Sequence, residues 1–258
     1  MQHRTLWAFA SALALVVPVA CGGGGGGGEG SATMAEPAAP AFDPATAGNI
    51  TGTILLEGTP PAPEEIRMNS DPVCVKEAAD TTTTEYYVVG ASGGLGNVFV
   101  YVKEGLEGQS FPAPSGSVQL EQDGCRYIPH VFGIRVGQTL EIVNSDPTLH
   151  NIHATPAAND EFNTGQPIQG MVFERTFDSP EVMVPFKCDV HSWMNAYVGV
   201  LDHPFFGVTG DDGSFDLSGL PPGDYVVEAW HAMLGTQTQN ITVGESATAE
   251  VSFTFTVG

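Results

Sequence analysis

The stretch Val251-Ser252-Phe253-Thr254-Phe255-Thr256-Val257 alternates apolar and polar side chains without a break. Successive side chains of a strand point to opposite faces, so this period puts Val251, Phe253, Phe255 and Val257 on one buried face and the hydroxyls on the other. Working back from it, short β-rich runs recur at residues 50–56, 86–89, 98–102, 134–143, 182–186 and 225–230. Turn chemistry separates them: Thr59-Pro60-Pro61, Gly93-Gly94, Asp123-Gly124, Asp212-Gly213 and Pro221-Pro222-Gly223. No long stretch carries a 3.6-residue period. With 32 Gly and 19 Pro in 258 residues and only 15% charged residues, the chain is expected to be all-β, a sandwich of short strands.

The charge balance narrows the partners. Eight Lys and Arg stand against 30 Asp and Glu, a formal charge of −22. Nucleic acid is not the expected partner, because affinity for phosphates comes chiefly from Lys and Arg. A neutral or basic partner is the electrostatic expectation.

Export is written at the N-terminus. Arg4 precedes an uncharged apolar run over residues 6–19, then Ala20, Cys21 and seven glycines, Gly22 to Gly28. Residues 1–20 have the layout of a signal peptide, too short for a spanning helix. The segment resembles a bacterial lipoprotein signal, which implies that Cys21 is lipidated and opens the mature chain. Pro18 departs from that pattern, which usually has Leu three residues before the cysteine. The other reading is an ordinary cleaved signal with Cys21 as a plain thiol. Residues 21–46, rich in Gly, Ala and Pro, read as a tether from a membrane surface, placing the protein in the cell envelope, facing the periplasm or the exterior.

Such a compartment is oxidising, so cysteine arithmetic matters. Beyond Cys21 the chain has Cys74, Cys125 and Cys188. An odd number leaves one thiol with another job. Cys74 and Cys125 both sit beside turn-like sequence, Asp71-Pro72 and Asp123-Gly124, and are the natural disulfide pair, with two unbridged thiols as the alternative.

Cys188 lies in the densest chemistry of the chain: Phe186-Lys187-Cys188-Asp189-Val190-His191-Ser192-Trp193-Met194. A thiolate, an imidazole and a thioether follow an apolar strand within seven residues. Soft sulfur with imidazole suits copper, and two His, one Cys and a weak axial Met make an electron-transfer set. A second histidine is needed, and Asn144-Ser145-Asp146-Pro147-Thr148-Leu149-His150-Asn151-Ile152-His153 offers two. Residues an odd number apart on a strand face opposite ways, so His150 and His153 are not expected to serve one ion. Zinc would accept the Cys and both His but usually recruits a stronger fourth ligand than Met. No His-x-His motif of a multicopper cluster occurs.

Cys188-x₂-His191-x₂-Met194, preceded by Asn144 and His150-Asn151, resembles the cupredoxins, the type 1 blue copper proteins; the compact loop is most similar to amicyanin. The resemblance covers roughly residues 97–202 and implies a Greek-key β-sandwich holding one type 1 copper through His150, Cys188, His191 and Met194. It implies that Asn151 ties the two ligand loops together by hydrogen bonds. It selects His150 over His153, and it implies that His191 is exposed at the surface as the electron port, with Trp193 and Met194 in a docking patch or, for Trp193, in the core. With Met closing the fourth position, the implied role is electron carrier rather than enzyme.

No Lys or Arg follows Lys187, whereas nine acidic residues do. The run from Asp211 to His231 resembles the carboxypeptidase regulatory-like (transthyretin-like) β-sandwich module, also similar to some carbohydrate-binding sandwiches. Residues 203–258 are few for an independent domain, so they are expected to pack on the copper domain or to borrow the strand near 50–56. Residues 47–96 are read as an N-terminal β extension. The expected function is a membrane-tethered carrier of single electrons whose redox partner is basic, such as a c-type cytochrome. A copper chaperone or sensor, or a carbohydrate-binding adhesion protein, are the alternatives; carbohydrate has no support beyond the module's likeness.

Overall fold

The computed structural model describes residues 42–78 and 82–258. The expected signal peptide, Cys21 and the tether up to residue 41 lie outside them. Among the described residues no helix is long and apolar enough to cross a membrane. In chain order the elements are β1 (Gly48–Glu57), α1 (Pro72–Glu77), β2 (Phe99–Glu104), β3 (Val118–Asp123), β4 (Arg126–Ile128), β5 (Val131–Arg135), β6 (Leu140–Asn144), β7 (His150–Ala154) and β8 (Phe162–Gln166). They continue with β9 (Val172–Arg175), β10 (Glu181–Lys187), β11 (Asn195–Leu201), β12 (Phe206–Val208), β13 (Ser214–Leu220), β14 (Gly223–His231), β15 (Gly235–Val243) and β16 (Thr248–Thr256). Among the described residues the fold is all-β, with one short α-helix and a 3-10 turn at Pro44–Thr46.

The strands form four sheets in two sandwiches. One pairs the order β4-β3-β6-β9 with β5-β11-β10-β7-β8, closing on Leu120, Tyr127, Leu140 and Ile142 from the first sheet and Ile134, Ile152, Phe186 and Val198 from the second. The other faces β13-β1-β16 against β12-β2-β14-β15, around Ile50, Ile54, Phe215, Val100, Val227 and the alternating Val251, Phe253 and Phe255. Here β1 lies between β13, antiparallel, and β16, parallel, with Asn49 opposite Thr248.

Two segments depart from the sequence reading. The strand Phe99–Glu104, grouped there with residues 97–202, bonds to β12 and β14 of the second sandwich. The reason lies in its run of apolar residues, which suits a strand covered on both faces. Val100 and Val102 enter the second core. Phe99 and Tyr101 turn the other way and join Val131, Met183 and Leu201 of the first sandwich. Residues 58–96, read as part of a β extension, carry α1 and only isolated bridges such as Val89 with Leu95. The run 86–89 has β-prone side chains but is never laid against a sheet along its length.

The two sandwiches meet through close backbone approach. A Cβ on Gly199 would come within 2.3 Å of Phe99 Cζ, and one on Gly133 within 2.3 Å of Phe206 Cε2. Aromatic rings therefore press on bare backbone, which is why β5 and β11 carry glycine at the crossing. Gly199→Val is expected to lower unfolding stability by about 1–3 kcal/mol through overpacking, measured by urea denaturation.

His231, at the end of β14, is 2% exposed, its ring stacked at 5.8 Å on Tyr87 and its Nδ1 accepting from the Met233 N–H at 3.3 Å. Burial, with the charge of His130 nearby, pushes its pKa down to about 4. The folded chain thus holds this ring neutral while the unfolded chain takes up a proton near pH 6.5. Its contribution is complete above that pH and fades as pH falls towards 4, a loss of about 3 kcal/mol. The slope of stability against pH between 6.5 and 4 should be shallower for His231→Gln than for the parent.

Candidate metal centre

Strand β7 and the loop after β10 supply the site. β7 pairs with β10 at Phe186–Ala154 and Lys187–His153, which brings the chain following Lys187 beside the start of β7. The loop 188–194 folds on itself: the Cys188 N–H donates to the Met194 carbonyl at 3.1 Å, and the Met194 N–H to the His191 carbonyl at 2.9 Å. It thereby returns its ligand-type side chains to the end of the first sandwich.

The geometry converges. His150 Nδ1 and His191 Nδ1 stand 2.9 Å apart, and with Cys188 Sγ their ligand atoms all lie within 4.8 Å of one another. His150 is fully buried; Cys188 and His191 are 3% and 2% exposed. Met194 is buried in the same core. Both imidazoles direct Nδ1 inward because Nε2 is engaged elsewhere: His150 Nε2 lies 2.9 Å from Asp146 Oδ2, and His191 Nε2 lies 3.1 Å from Asp71 Oδ2. A carboxylate on the outer nitrogen fixes tautomer and ring orientation, the usual support of a metal-binding histidine.

Asn151 joins the two loops. Its Oδ1 accepts from the Asp189 N–H at 2.8 Å and lies 3.3 Å from Cys188 Sγ, while its Nδ2 donates to Asn163 Oδ1 at 2.8 Å. His153 faces away, gripped by Asp189 and Glu161 at 3.0 and 2.8 Å, and takes no place among the converging ligand atoms. Trp193 packs against His191 with ring centres 5.0 Å apart and the planes tilted by 34°, and it donates Nε1–H to the Cys125 carbonyl at 3.0 Å.

The electrostatics favour a thiolate. Burial pushes the Cys188 thiol up, but His150 and the backbone N–H groups of Asn151, His191 and Val190 outweigh it and hold the group below the ordinary thiol range. Burial likewise pulls His150 down, and Asp146 with Cys188 more than reverses that. His191 is held below the usual histidine value by burial and by the neighbouring His150, against the pull of Asp71. Burial would raise Asp146, yet His150 and the N–H groups of Cys125 and Gly124 keep it low.

One expectation fails. His191 is not an exposed port, because α1 lies over it: beyond Asp71, Cys74 Sγ is 3.6 Å from His191 Nε2. Cys74 is bonded to Cys125, with Cα atoms 5.5 Å apart, and this bridge pins α1 over the ligand loop. Asp71 and Asp146 are the residues sequence reasoning missed. Asp146 had a signal, standing four residues before His150 in the same loop, where its nitrogen donates to Asn144 Oδ1 at 3.0 Å. Asp71 had none beyond its nearness to Cys74.

The donor set fits copper. Two imidazole nitrogens and a thiolate-prone sulfur point at one another in a buried volume with their outer atoms satisfied, and such mixed nitrogen and soft sulfur ligands suit that metal.

Comparison with known proteins adds coarse likeness only. No protein-family model and no curated protein matches the chain. Among solved structures it is similar to a Cu-containing nitrite reductase from Thermus scotoductus SA-01, at 22% identity over 37% of this chain and 24% of that one, TM-score 0.33. This chain thus spans about a quarter of that reductase. It is similar to a Cu(I) form of an amicyanin mutant, at 20% identity over 34% of this chain and 85% of that one, TM-score 0.30. A purple cupredoxin from Nitrosopumilus maritimus shares 25% identity over 33% of this chain and 99% of that one, TM-score 0.28.

The bridge closes a loop of 51 residues. Replacing both Cys74 and Cys125 by serine is expected to cost about 2–5 kcal/mol of stability, read from the urea midpoint of the copper-free protein.

Proposed function

We propose that the chain binds one copper ion through His150, Cys188, His191 and Met194 and carries single electrons in the cell envelope, held to a membrane through lipid on Cys21. The observation that carries this reading is the convergence of His150 Nδ1, His191 Nδ1 and Cys188 Sγ at one buried point. Copper bound there would supply a one-electron couple between Cu(II) and Cu(I). The chain's own part is to hold the donors. Asp71 and Asp146 orient the two rings, Asn151 and the loop amides surround the sulfur, and the sandwich resists rearrangement.

A carrier fits better than an enzyme. Catalysis at a metal needs an open position, and His150, Cys188, His191 and Met194 are each 3% exposed or less. The same burial speaks against a chaperone, whose task is to hand its metal over. A net charge of −22 favours a basic redox partner such as a c-type cytochrome, since opposite fields raise encounter rates.

Adding Cu(II) to the full chain is expected to produce an intense visible charge-transfer band that Cys188→Ser lacks while remaining folded by circular dichroism. An unchanged band in that variant would refute the thiolate ligand, and no band in the folded parent would refute the copper site.

A further inference from the structure

We infer that Asp71 is a positioning residue for His191, delivered from outside the ligand-bearing sandwich by the disulfide-pinned segment around α1. The inference rests on the copper reading and concerns how the ring is held.

Both oxygens of Asp71 have defined work. Oδ1 accepts from the Val73 N–H at 2.8 Å, capping α1; Oδ2 accepts the Thr148 hydroxyl at 2.8 Å and faces His191 Nε2 at 3.1 Å. Thr148 belongs to the loop that precedes His150, so one carboxylate links the cap, the upstream ligand loop and the ring of the downstream ligand. Its position is over-determined. Three residues on, Cys74 is bonded to Cys125, and Met68 and Cys74 are buried in the first core. The backbone N–H of Cys125 donates to Asp146 Oδ2 at 2.8 Å, and that same oxygen faces His150 Nε2. The carboxylates behind the two imidazoles are therefore mounted on the two ends of one disulfide.

Two consequences follow. The Nε2 edge of His191 has no free path to solvent, and the ring cannot rotate without giving up its bond to Asp71. A negative group on the outer nitrogen makes the ring a stronger donor, which stabilises the more highly charged Cu(II) over Cu(I). Losing such a partner typically weakens metal binding by 10–100-fold.

The test compares the full chain with Asp71→Ala and Asp71→Asn, the latter keeping the cap acceptor but not the charge. Copper affinity is measured by competition with a chelator in each oxidation state, and the midpoint potential by redox titration. Asp71→Ala is expected to keep the thiolate band, bind copper 10–100-fold more weakly and lose more Cu(II) than Cu(I) affinity; a tenfold difference raises the potential by about 59 mV. Asp71→Asn is expected to lie between. A variant that loses thermal stability while affinity ratio and potential stay at the parent's values overturns the inference.

A readout without copper separates this from failure of the metal reading. In ¹H–¹⁵N spectra of the copper-free protein, the His191 Nε2–H signal should be protected from exchange in the parent and lost in Asp71→Ala. Equal protection in both overturns the inference whether or not the parent binds copper. Should Asp71→Ala not fold, Asp71→Asn with Thr148→Val carries the same comparisons.

Discussion

A sandwich end that buries two imidazoles, a thiol and the carboxylate behind one of the rings must give each polar atom a partner, because an unpaired one costs roughly 1–3 kcal/mol or more in a dry site. That requirement organises the surroundings of the candidate centre. Asp146 faces His150, the Gly124 and Cys125 amides donate to Asp146, and Asn144 donates to the Thr148 and Gln166 carbonyls while accepting from the Asp146 amide. Gln122 in turn donates to Gln166, carrying the chain of bonds into the first sheet. The segment over His191 serves the same need from outside, supplying the Asp71 carboxylate that faces Nε2.

What could be read in advance was whatever is local in sequence. The alternation from Val251 to Val257 reports a half-buried strand by itself, and Cys188, His191 and Met194 sit on one loop, so their shared chemistry is visible without a structure. His150 and Asn151 were singled out only through the family resemblance, by their order along the chain. The strand around Phe99 was misplaced because a run buried on both faces looks the same whichever sandwich receives it. The burial of His191 could not be read at all. It depends on Asp71, whose contact with His191 spans 120 residues, and no pattern near either residue announces that meeting.

The second sandwich gives the chain's acidic C-terminal part a concrete place. Glu228 is buried, yet it is held by the Tyr101 hydroxyl and Lys103 of β2, both at 2.6 Å, so one of the few cations serves to seat an acid against a neighbouring strand. Asp212 caps its own turn by accepting from the Ser214 amide. Several acids are thus local fasteners, and the field they create together is a property of the whole surface.

The parallel pairing of β1 with β16 has a consequence for how the molecule is made. Asn49 pairs with Thr248, 199 residues further along the chain, so β1 must wait with an open edge until β16 has been made, and such long-range pairing is slow and exposed to misassociation. The strands from β3 to β11 lie between these two and find their sheet partners among themselves. The body that carries the candidate centre can therefore assemble first, as an insert, and the sandwich that frames it shuts after it.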